Sequence, residues 1–374
     1  MTHTNQAVKA AIRSAALLAV VMFGAQAGYA APAMISTSVS AAVPVLSLPR
    51  PTGQHPVGVR SDSVTDPARM DEETGRPRRL PVRIWYPAVH SGPGPSAPYV
   101  SPAIRAYLER SLSLPAGLLD IDTHASPDVR PRRDIAGIVI VQHGGGLLAA
   151  FQTGQVIDLA SRGYAVVTMD HPHESLVVEE PDGRLISGTD PETHPFQERI
   201  LDAATVLGAL SRLVPEAGRR TPIAMIGHSR GGAAAAETML HHPQIVAGVD
   251  LDGSPRGEVL LAGLDQPFGL MLSSQQPLEG NALLAQFLGN LRGPHPVREL
   301  AILHYGYTDW VVFNPQATRA DPATGALLEG YFSTGTADDL RAGHRALAAQ
   351  RTFVARFTQH YLGTARTSAQ GVTP

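Results

Sequence analysis

Cysteine is absent from this 374-residue sequence, so disulfides and a thiol nucleophile are both excluded. A chain without disulfides must rely on its core, and 43% hydrophobic residues are sufficient to build one. Lysine is almost absent, because Lys9 is the only one and arginine supplies the other fixed positive charges. With a net charge of −3, the chain has no strong field that would favour nucleic acid or an anionic membrane as a partner.

The sequence also lacks a hydrophobic run long enough to span a bilayer comfortably. Its N-terminal apolar run, residues 15–25, is about a dozen residues long, whereas a spanning helix needs roughly 20. Two basic residues precede the run, and two candidate A-x-A-like cleavage sites follow it, Ala25/Ala27 and Gly28/Ala30. This order predicts a signal peptide over residues 1–30, with a retained anchor helix as the alternative. We therefore expect a secreted or periplasmic protein.

The rest of the chain divides into a lead-in, one folded unit and a tail. Residues 31–56 are rich in Ala, Ser, Val and Pro without periodicity, which is typical of a poorly ordered segment. Residues 57–364 alternate strand and helix patterns without an internal repeat, so they are predicted to form a single domain. The last helix pattern stops at Gly363, and residues 365–374 are predicted to be a disordered tail.

The apolar patterns predict about eight strands. Two early strands, around Val57 and Val82, alternate apolar and polar residues and should pair through the charged loop 66–79. Residues 135–141 and 164–169 are continuous β-branched runs, as expected for strands buried on both faces. Further strands are predicted at residues 222–226, 245–251, 268–272 and 299–303, and a turn at 180–183 should join two short strands outside the sheet.

Helical patterns separate these strands. They lie at residues 104–112, 152–162, 194–214 and 233–240, and a final helix has Thr336 as its predicted N-cap. The helix at 104–112 could cover a site or touch a lipid surface, but ordinary packing is the simpler interpretation. The whole pattern predicts an α/β fold with one doubly wound, mostly parallel sheet whose first strands are antiparallel.

The most informative motif is G-H-S-R-G at residues 227–231. It lies between a short apolar strand and an alanine-rich helix, which is the context that a G-x-S-x-G nucleophile elbow requires. A serine on so sharp a turn has a strained backbone, and side chains at Gly227 and Gly231 would collide with the neighbouring strand and helix. The motif therefore predicts that Ser229 is a catalytic nucleophile.

A serine hydroxyl is a poor nucleophile unless a base activates it. In α/β-hydrolases, the acid and the histidine follow the serine along the chain, on loops after later strands. Asp250 and Asp252 end the next predicted strand, and Asp252 lies where the strand gives way to a loop. Ligand-facing groups gather there in open α/β sheets, so we expect Asp252 to be the acid. Asp250 is the fallback, and Asp265 in the next connection is less favoured.

The candidate base is His304. It comes directly after the last apolar strand pattern, residues 299–303, where this fold places its general base. His295, in the preceding Gly-Pro-His-Pro loop, is the main alternative.

Two backbone N–H groups should stabilise the oxyanion. One is expected from Arg230, the residue after the nucleophile. The other should come from the H-G-G-G loop at residues 143–146, where consecutive glycines allow close approach to a substrate. Gly145 is our choice, and Gly144 and Gly146 remain open.

Other histidines do not form a recognisable metal site. His171 and His173 flank a proline, and His241 and His242 are adjacent, but no complete ligand set with a recognised spacing is visible. We therefore expect neither a metal nor any other cofactor.

Several segments together carry a family resemblance. The blocks are residues 139–144, 157–164, 226–232, Leu251-Asp252, and His304 with Asp309 and Trp310. Together they resemble the platelet-activating factor acetylhydrolase group of α/β-hydrolases, the secreted-type group VII phospholipases A2. The resemblance extends from about residue 81 to 362. It implies an α/β-hydrolase fold and a triad of Ser229, Asp252 and His304.

Departures from that family concern the substrate. The animal acetylhydrolases have phenylalanine after the nucleophile, where this chain has Arg230, and tryptophan two residues past the acid, where it has Ser254. Their oxyanion loop also contains fewer glycines. The resemblance therefore implies the triad without implying a phospholipid substrate.

The sequence thus predicts an exported serine hydrolase that cleaves carboxylic esters through an acyl-enzyme. We expect short-chain or acetyl esters, including phospholipid-like ones, and transient contact with a lipid surface. One alternative is a lipase or cutinase-like polyester hydrolase on the same fold. Another is a non-catalytic binding module, although such proteins typically lose the serine or the histidine.

Overall fold

The computed structural model of the protein describes residues 43–71 and 73–371. The predicted signal peptide, residues 1–30, lies outside these residues. Among the helices that are described, none is both long and apolar enough to cross a membrane.

Within the described residues, nine strands form one sheet and two more form a separate pair. In chain order the strands are β1 (Val57–Met70), β2 (Pro77–Pro87), β3 (Ala125–Pro127), β4 (Gly137–Gln142), β5 (Tyr164–Met169), β6 (Val177–Glu179), β7 (Leu185–Ser187), β8 (Ile223–His228), β9 (Ile245–Leu251), β10 (Phe268–Leu272) and β11 (Val297–Glu299). The order across the sheet is β11-β10-β9-β8-β4-β5-β2-β1-β3, and β6 pairs with β7. Within the nine-stranded sheet, neighbours are parallel except where β2 pairs with β1 and β5. The predicted mostly parallel sheet with antiparallel first strands is confirmed.

Helices cover both faces of this sheet. They are α1 (Pro102–Ser111), α2 (Thr153–Ser161), α3 (Phe196–Gly208), α4 (Leu210–Leu213), α5 (Arg230–His241), α6 (Val259–Ala262), α7 (Ala282–Asn290), α8 (Trp310–Ala320), α9 (Pro322–Tyr331) and α10 (Leu340–Gly371). Apolar residues of α2, α8 and α10 join one core, and those of α3, α5 and α7 join the other.

The central strands explain the two cores. In β4, Val139 and Val141 belong to one core, whereas Ile138 and Ile140 belong to the other. Because successive side chains of a strand point to opposite faces, a continuous β-branched run fills both layers. This is the arrangement predicted for residues 135–141.

The predicted lead-in is packed over its described part. Leu46 and Leu48 are buried in the core, and both the N–H and the hydroxyl of Thr52 donate to the carboxylate of Asp158. The prediction of a poorly ordered segment over 31–56 is therefore wrong for the part from Leu46 onward. Its apolar residues show no periodicity because the segment packs against the core without forming a helix or a strand.

Two predicted strand boundaries are also wrong. The charged span 66–79, predicted to be a loop, is partly strand, because β1 and β2 continue to Met70 and from Pro77. The last strand of the sheet ends at Glu299, and the predicted strand 299–303 is irregular. There the Ile302 N–H donates to Leu300 O in a tight turn and the Leu303 N–H donates to Thr334 O, so the chain leaves the pairing with β10.

The helix predictions need three corrections. The predicted helix 194–214 is divided into α3 and α4. Asp339, not Thr336, accepts from the N–H of Ala342 in the first turn of α10, because the Thr336 hydroxyl donates to a carbonyl of α8. Helix α10 continues past Gly363 to Gly371, through most of the predicted disordered tail. A glycine ends a helix only when the next residues leave the helical conformation, which they do not here.

Candidate active site

Ser229 lies on the bend between β8 and α5. Its φ of 53° and ψ of −125° are strained for a residue with a side chain. Two hydrogen bonds hold this conformation, because the Ser229 N–H donates to Leu251 O at 2.9 Å and the Gly232 N–H donates to Ser229 O at 2.9 Å. The strand–turn–helix context predicted for a nucleophile elbow is therefore present.

The flanking glycines are required by close backbone contacts. A Cβ on Gly227 would lie 2.1 Å from the backbone carbonyl of Gly231. A Cβ on Gly231 would lie 2.4 Å from Gln142 O and 2.5 Å from His143 O, at the end of β4. These are the collisions that the sequence predicted.

The structure brings together the three residues predicted to form the triad. His304 Nε2 lies 2.9 Å from Ser229 Oγ, and His304 Nδ1 lies 2.6 Å from Asp252 Oδ2. Asp252 is fully buried, while the His304 side chain is 15% exposed. Hydroxyl, imidazole and carboxylate thus form one continuous hydrogen-bonded chain.

The loop after β10 fixes the positions of the acid and the base. Asp252 Oδ1 accepts from the Ser273 N–H at 2.7 Å, so only Oδ2 is directed to the imidazole. Gln275 Oε1 accepts from the His304 N–H at 2.7 Å, and Gln276 Nε2 donates to Asp252 O at 2.9 Å. These supporting residues could not be predicted, because nothing in a serine or two glutamines indicates which loop they will face.

The alternative residues lie elsewhere. Asp250 accepts from the Gly253 N–H at 2.7 Å, and burial raises its pKa well above the ordinary value. Asp265 is an exposed ion-pair partner of Arg292. His295 Nδ1 contacts Gly293 O in its own loop. These three side chains therefore have polar partners other than Ser229 and His304.

The two predicted oxyanion donors are neighbours. A Cβ on Gly145 would lie 3.3 Å from Arg230 Cδ, so the H-G-G-G loop lies directly against the start of α5. The N–H of Arg230 is in the first turn of a helix, where such groups have no acceptor within the helix. The loop turns sharply, because the Leu147 N–H donates to Gly144 O and Gly146 has a φ of 66°.

The Arg230 side chain points away from open solvent and is nearly buried. It forms an ion pair with Glu174 at 3.1 Å, and its Nη2 donates to His194 O at 2.6 Å. Its guanidinium carbon lies 5.6 Å from the centre of the Phe196 ring. Arg230 therefore connects the bend at Ser229, the nucleophile turn, to the segment before α3.

Two of the histidines considered for metal binding, His171 and His173, have separate acidic partners. His171 Nδ1 lies 2.9 Å from Asp202 Oδ2, and His173 Nε2 lies 2.6 Å from Asp71 Oδ2. Across the part of the chain that the structure describes, no three metal-ligating side chains form a group.

Residues that follow the H-G-G-G loop (residues 143–146, the oxyanion loop) line a large cavity. Its volume is about 690 Å³, and Leu148, Ala149 and Asp170 are among its lining residues. Burial raises the pKa of Asp170 to about 6. Neither Ser229 nor His304 lines this cavity.

Comparisons with known proteins point to one superfamily. Residues 133–254 match a family model described as serine aminopeptidase, S33. The chain is 29% identical over 258 residues to a probable 1-alkyl-2-acetylglycerophosphocholine esterase from Arthroderma benhamiae. That match covers 62% of this chain and 65% of the relative, so it spans just under two thirds of the relative's length. It bears out the resemblance to the acetylhydrolase group.

The fold is also similar to a solved esterase. The structure of a ferulic acid esterase from Streptomyces cinnamoneus superposes with a TM-score of 0.72 at 27% identity. The similarity covers 85% of this chain and 93% of that one. The sheet topology and these matches show that this chain has an α/β-hydrolase fold, and two of the proteins to which it is similar are named as esterases.

Proposed function

We propose that this protein is a serine hydrolase that cleaves carboxylic esters through an acyl-enzyme. The observation that carries the proposal is the hydrogen-bonded chain from Ser229 Oγ through His304 to Asp252. A serine is activated by an imidazole within hydrogen-bond distance, and the imidazole needs a third group to fix its orientation. The names of both relatives support the same reaction class.

In the first half-reaction, Ser229 Oγ bonds to the ester carbonyl carbon while His304 Nε2 takes the hydroxyl proton. The displaced electron pair moves to the carbonyl oxygen, which the N–H groups of Gly145 and Arg230 receive. Collapse of this intermediate breaks the ester C–O bond, and His304 returns the proton to the leaving alcohol. Asp252 holds the Nδ1–H tautomer and stabilises the imidazolium that forms.

In the second half-reaction, the oxygen of a water molecule attacks the carbonyl carbon of the acyl-enzyme, as Ser229 Oγ attacked the ester carbonyl carbon in the first. His304 takes one proton of the water and gives it to Ser229 Oγ when the acid leaves. Each cycle therefore consumes one water and restores all three side chains, without a cofactor.

The substrate class that we propose is a short-chain or acetyl ester, including a phospholipid-like one. The support is the acetyl group in the name of the Arthroderma benhamiae relative. Purified protein should cleave p-nitrophenyl acetate and lose activity steeply along a C2 to C16 ester series. A methyl ferulate arm tests the alternative suggested by the ferulic acid esterase, and a maximum at long chains would indicate a lipase or cutinase-like enzyme instead.

The nucleophile is tested by Ser229→Ala. The variant should keep its circular dichroism spectrum but lose ester turnover and labelling by an organophosphonate. Ser91→Ala is the matched control, because Ser91 is an exposed serine on a loop. Near-wild-type turnover in Ser229→Ala would refute the proposed mechanism.

We also propose that the protein is secreted or periplasmic. The support is the charged, apolar and small-residue order of residues 1–30. N-terminal sequencing of the exported protein should show cleavage after Ala27 or Ala30, and retention of the uncleaved chain in the cytoplasm would contradict export.

A further inference from the structure

A buried arginine contacts the backbone of the oxyanion loop. Arg199, on α3, is fully buried, and its Nη1 donates to His143 O at 2.6 Å. Its Nη2 donates to Gly144 O at 3.3 Å. These two carbonyls belong to the peptide units that carry the N–H groups of Gly144 and Gly145.

Peptide planarity links this contact to the oxyanion donors. In a trans peptide, the C=O and the N–H point in opposite directions. When Arg199 holds Gly144 O, the N–H of Gly145 must therefore point away from Arg199. Glycine accepts many backbone conformations, so the H-G-G-G loop depends on contacts of this kind. The Leu147 N–H and His143 Nδ1 also contact Gly144 O, at 3.2 and 2.6 Å, and Arg199 adds a buried charge that contacts the carbonyls of both His143 and Gly144.

A single carboxylate holds Arg199 in place. Arg199 Nε donates to both oxygens of Glu174, at 2.8 and 2.9 Å, and the Glu174 side chain is 4% exposed. Burial would raise the pKa of Glu174, but the positive charges of Arg199 and Arg230 and the hydrogen bond from Arg199 contribute to an overall lowering of the pKa. A guanidinium buried to this extent requires such a partner, because an unpaired buried charge is very costly.

The same carboxylate reaches the nucleophile turn. Glu174 Oε1 also lies 3.1 Å from Arg230 Nε. Arg230 is the residue whose backbone N–H is the second oxyanion donor. Glu174 therefore connects the segment after β5 to both donors, through Arg199 on one side and through the Arg230 side chain on the other.

We propose that Glu174 and Arg199 are positioning residues that set the relative placement of the two oxyanion N–H groups, an inference that rests on the proposed function. They do not touch the substrate. They act through the carbonyls of His143 and Gly144 and through the side chain of Arg230, and they stabilise the loop in the conformation that receives the negative charge.

The test is Glu174→Gln, which keeps the side-chain shape and removes the charge. The turnover of p-nitrophenyl acetate, expressed per site titrated with an organophosphonate, should fall about 10- to 100-fold with little change in KM. The inhibition constant of a trifluoromethyl ketone, whose adduct carries an oxyanion, should rise by a similar factor. The pH midpoint of kcat/KM should not move, because the contacts of His304 are unchanged.

Two further variants separate positioning from folding. Asp158→Asn is the matched control, because it also removes a fully buried carboxylate with an arginine partner, here Arg162 at the C-terminal end of the same helix, α2. It should lower stability while turnover per titrated site stays the same. The double variant Glu174→Gln/Arg199→Gln leaves neither residue as an unpaired buried charge, so it serves as the test if the single variant fails to fold. It should show the same loss of turnover per titrated site.

The proposal is overturned if either folded variant keeps kcat per titrated site within about twofold of wild type. Failure of the proposed function looks different. In that case Ser229→Ala would retain turnover, or the organophosphonate would label another serine, in the otherwise unchanged protein.

Discussion

At the scale of single residues, two carboxylates near the end of β9 have different environments. Asp252 has a φ of 63°, and its carboxylate faces His304 and the Ser273 N–H. Asp250 is buried against Gly232 at the start of α5, its carboxylate accepts from the Gly253 N–H, and burial raises its pKa well above the ordinary value. A neutral amide is therefore a close substitute for Asp250 but not for Asp252.

We expect Asp252→Asn to lower kcat by about 10³- to 10⁴-fold, because an amide cannot stabilise the imidazolium or hold the required tautomer. Asp250→Asn should stay within about tenfold of wild type, since its amide oxygen can still accept from Gly253. Steady-state kinetics on p-nitrophenyl acetate compare the two variants. Equal losses would mean that Asp252 has no special role in the reaction.

At the scale of elements, the nucleophile turn depends on the contact between the start of α5 and the end of β4. Gly231 lies against Gln142 O and His143 O, and backbone atoms cannot move aside as a flexible side chain can. The same His143 carbonyl is held by Arg199. A change at Gly231 therefore affects the nucleophile and the oxyanion loop together.

Gly231→Ala should lower the free energy of unfolding by about 2 kcal/mol or more, and it should lower kcat by more than about tenfold. Gly208→Ala is the control, because Gly208 ends α3 and an added Cβ meets nothing within 4 Å. That variant should be neutral or more stable by up to about 1 kcal/mol. Urea unfolding measures both, and a neutral Gly231→Ala would show that the turn can relax.

At the scale of the whole molecule, one buried carboxyl connects distant segments. Asp309 Oδ2 accepts from the Tyr99 hydroxyl, and Oδ1 accepts from the Gly154 N–H, both at 2.9 Å. Arg351 of α10 donates to Gly154 O and, in the lead-in, to Arg50 O. Burial raises the pKa of Asp309 to about 7, although these hydrogen bonds oppose the shift.

This raised pKa predicts how stability depends on pH. The folded protein keeps the Asp309 proton up to about pH 7, whereas the unfolded chain loses it near the ordinary value of 3.8. The contribution to the free energy of unfolding is therefore present at low pH and is lost between about pH 4 and pH 7, by at most about 4 kcal/mol. Above about pH 7, Asp309 should cause no further decrease in the free energy of unfolding.

Asp309→Asn should remove this part of the pH dependence, since an amide does not titrate. Urea unfolding at about pH 5 and about pH 8 gives the free energy of unfolding of both proteins. Between these two pH values, the wild type should lose more stability than the variant. Parallel pH profiles for the two proteins would contradict the assignment.

Much of the fold could be predicted because its signals are local. The buried strands β4, β5, β9 and β10 are mostly apolar runs, and G-H-S-R-G at 227–231 is flanked directly by the strand and the helix that the motif predicts. Boundaries set by distant partners were predicted less well. The last strand of the sheet was placed too late because Ile302 forms a tight turn with Leu300, and Leu303 then pairs with Thr334.

By itself, the sequence determined the nucleophile turn, the alternation of strands and helices, and a short set of candidate acids and bases. Only the tertiary structure decided which of them come within hydrogen-bond distance, because Asp252 and Ser229 reach His304 across 52 and 75 residues of chain. It also decided that Glu174 pairs with Arg199, 25 residues away, beneath the oxyanion loop. The physical reason is that such contacts depend on where loops pack and how side chains are directed, and neighbouring residues carry neither piece of information.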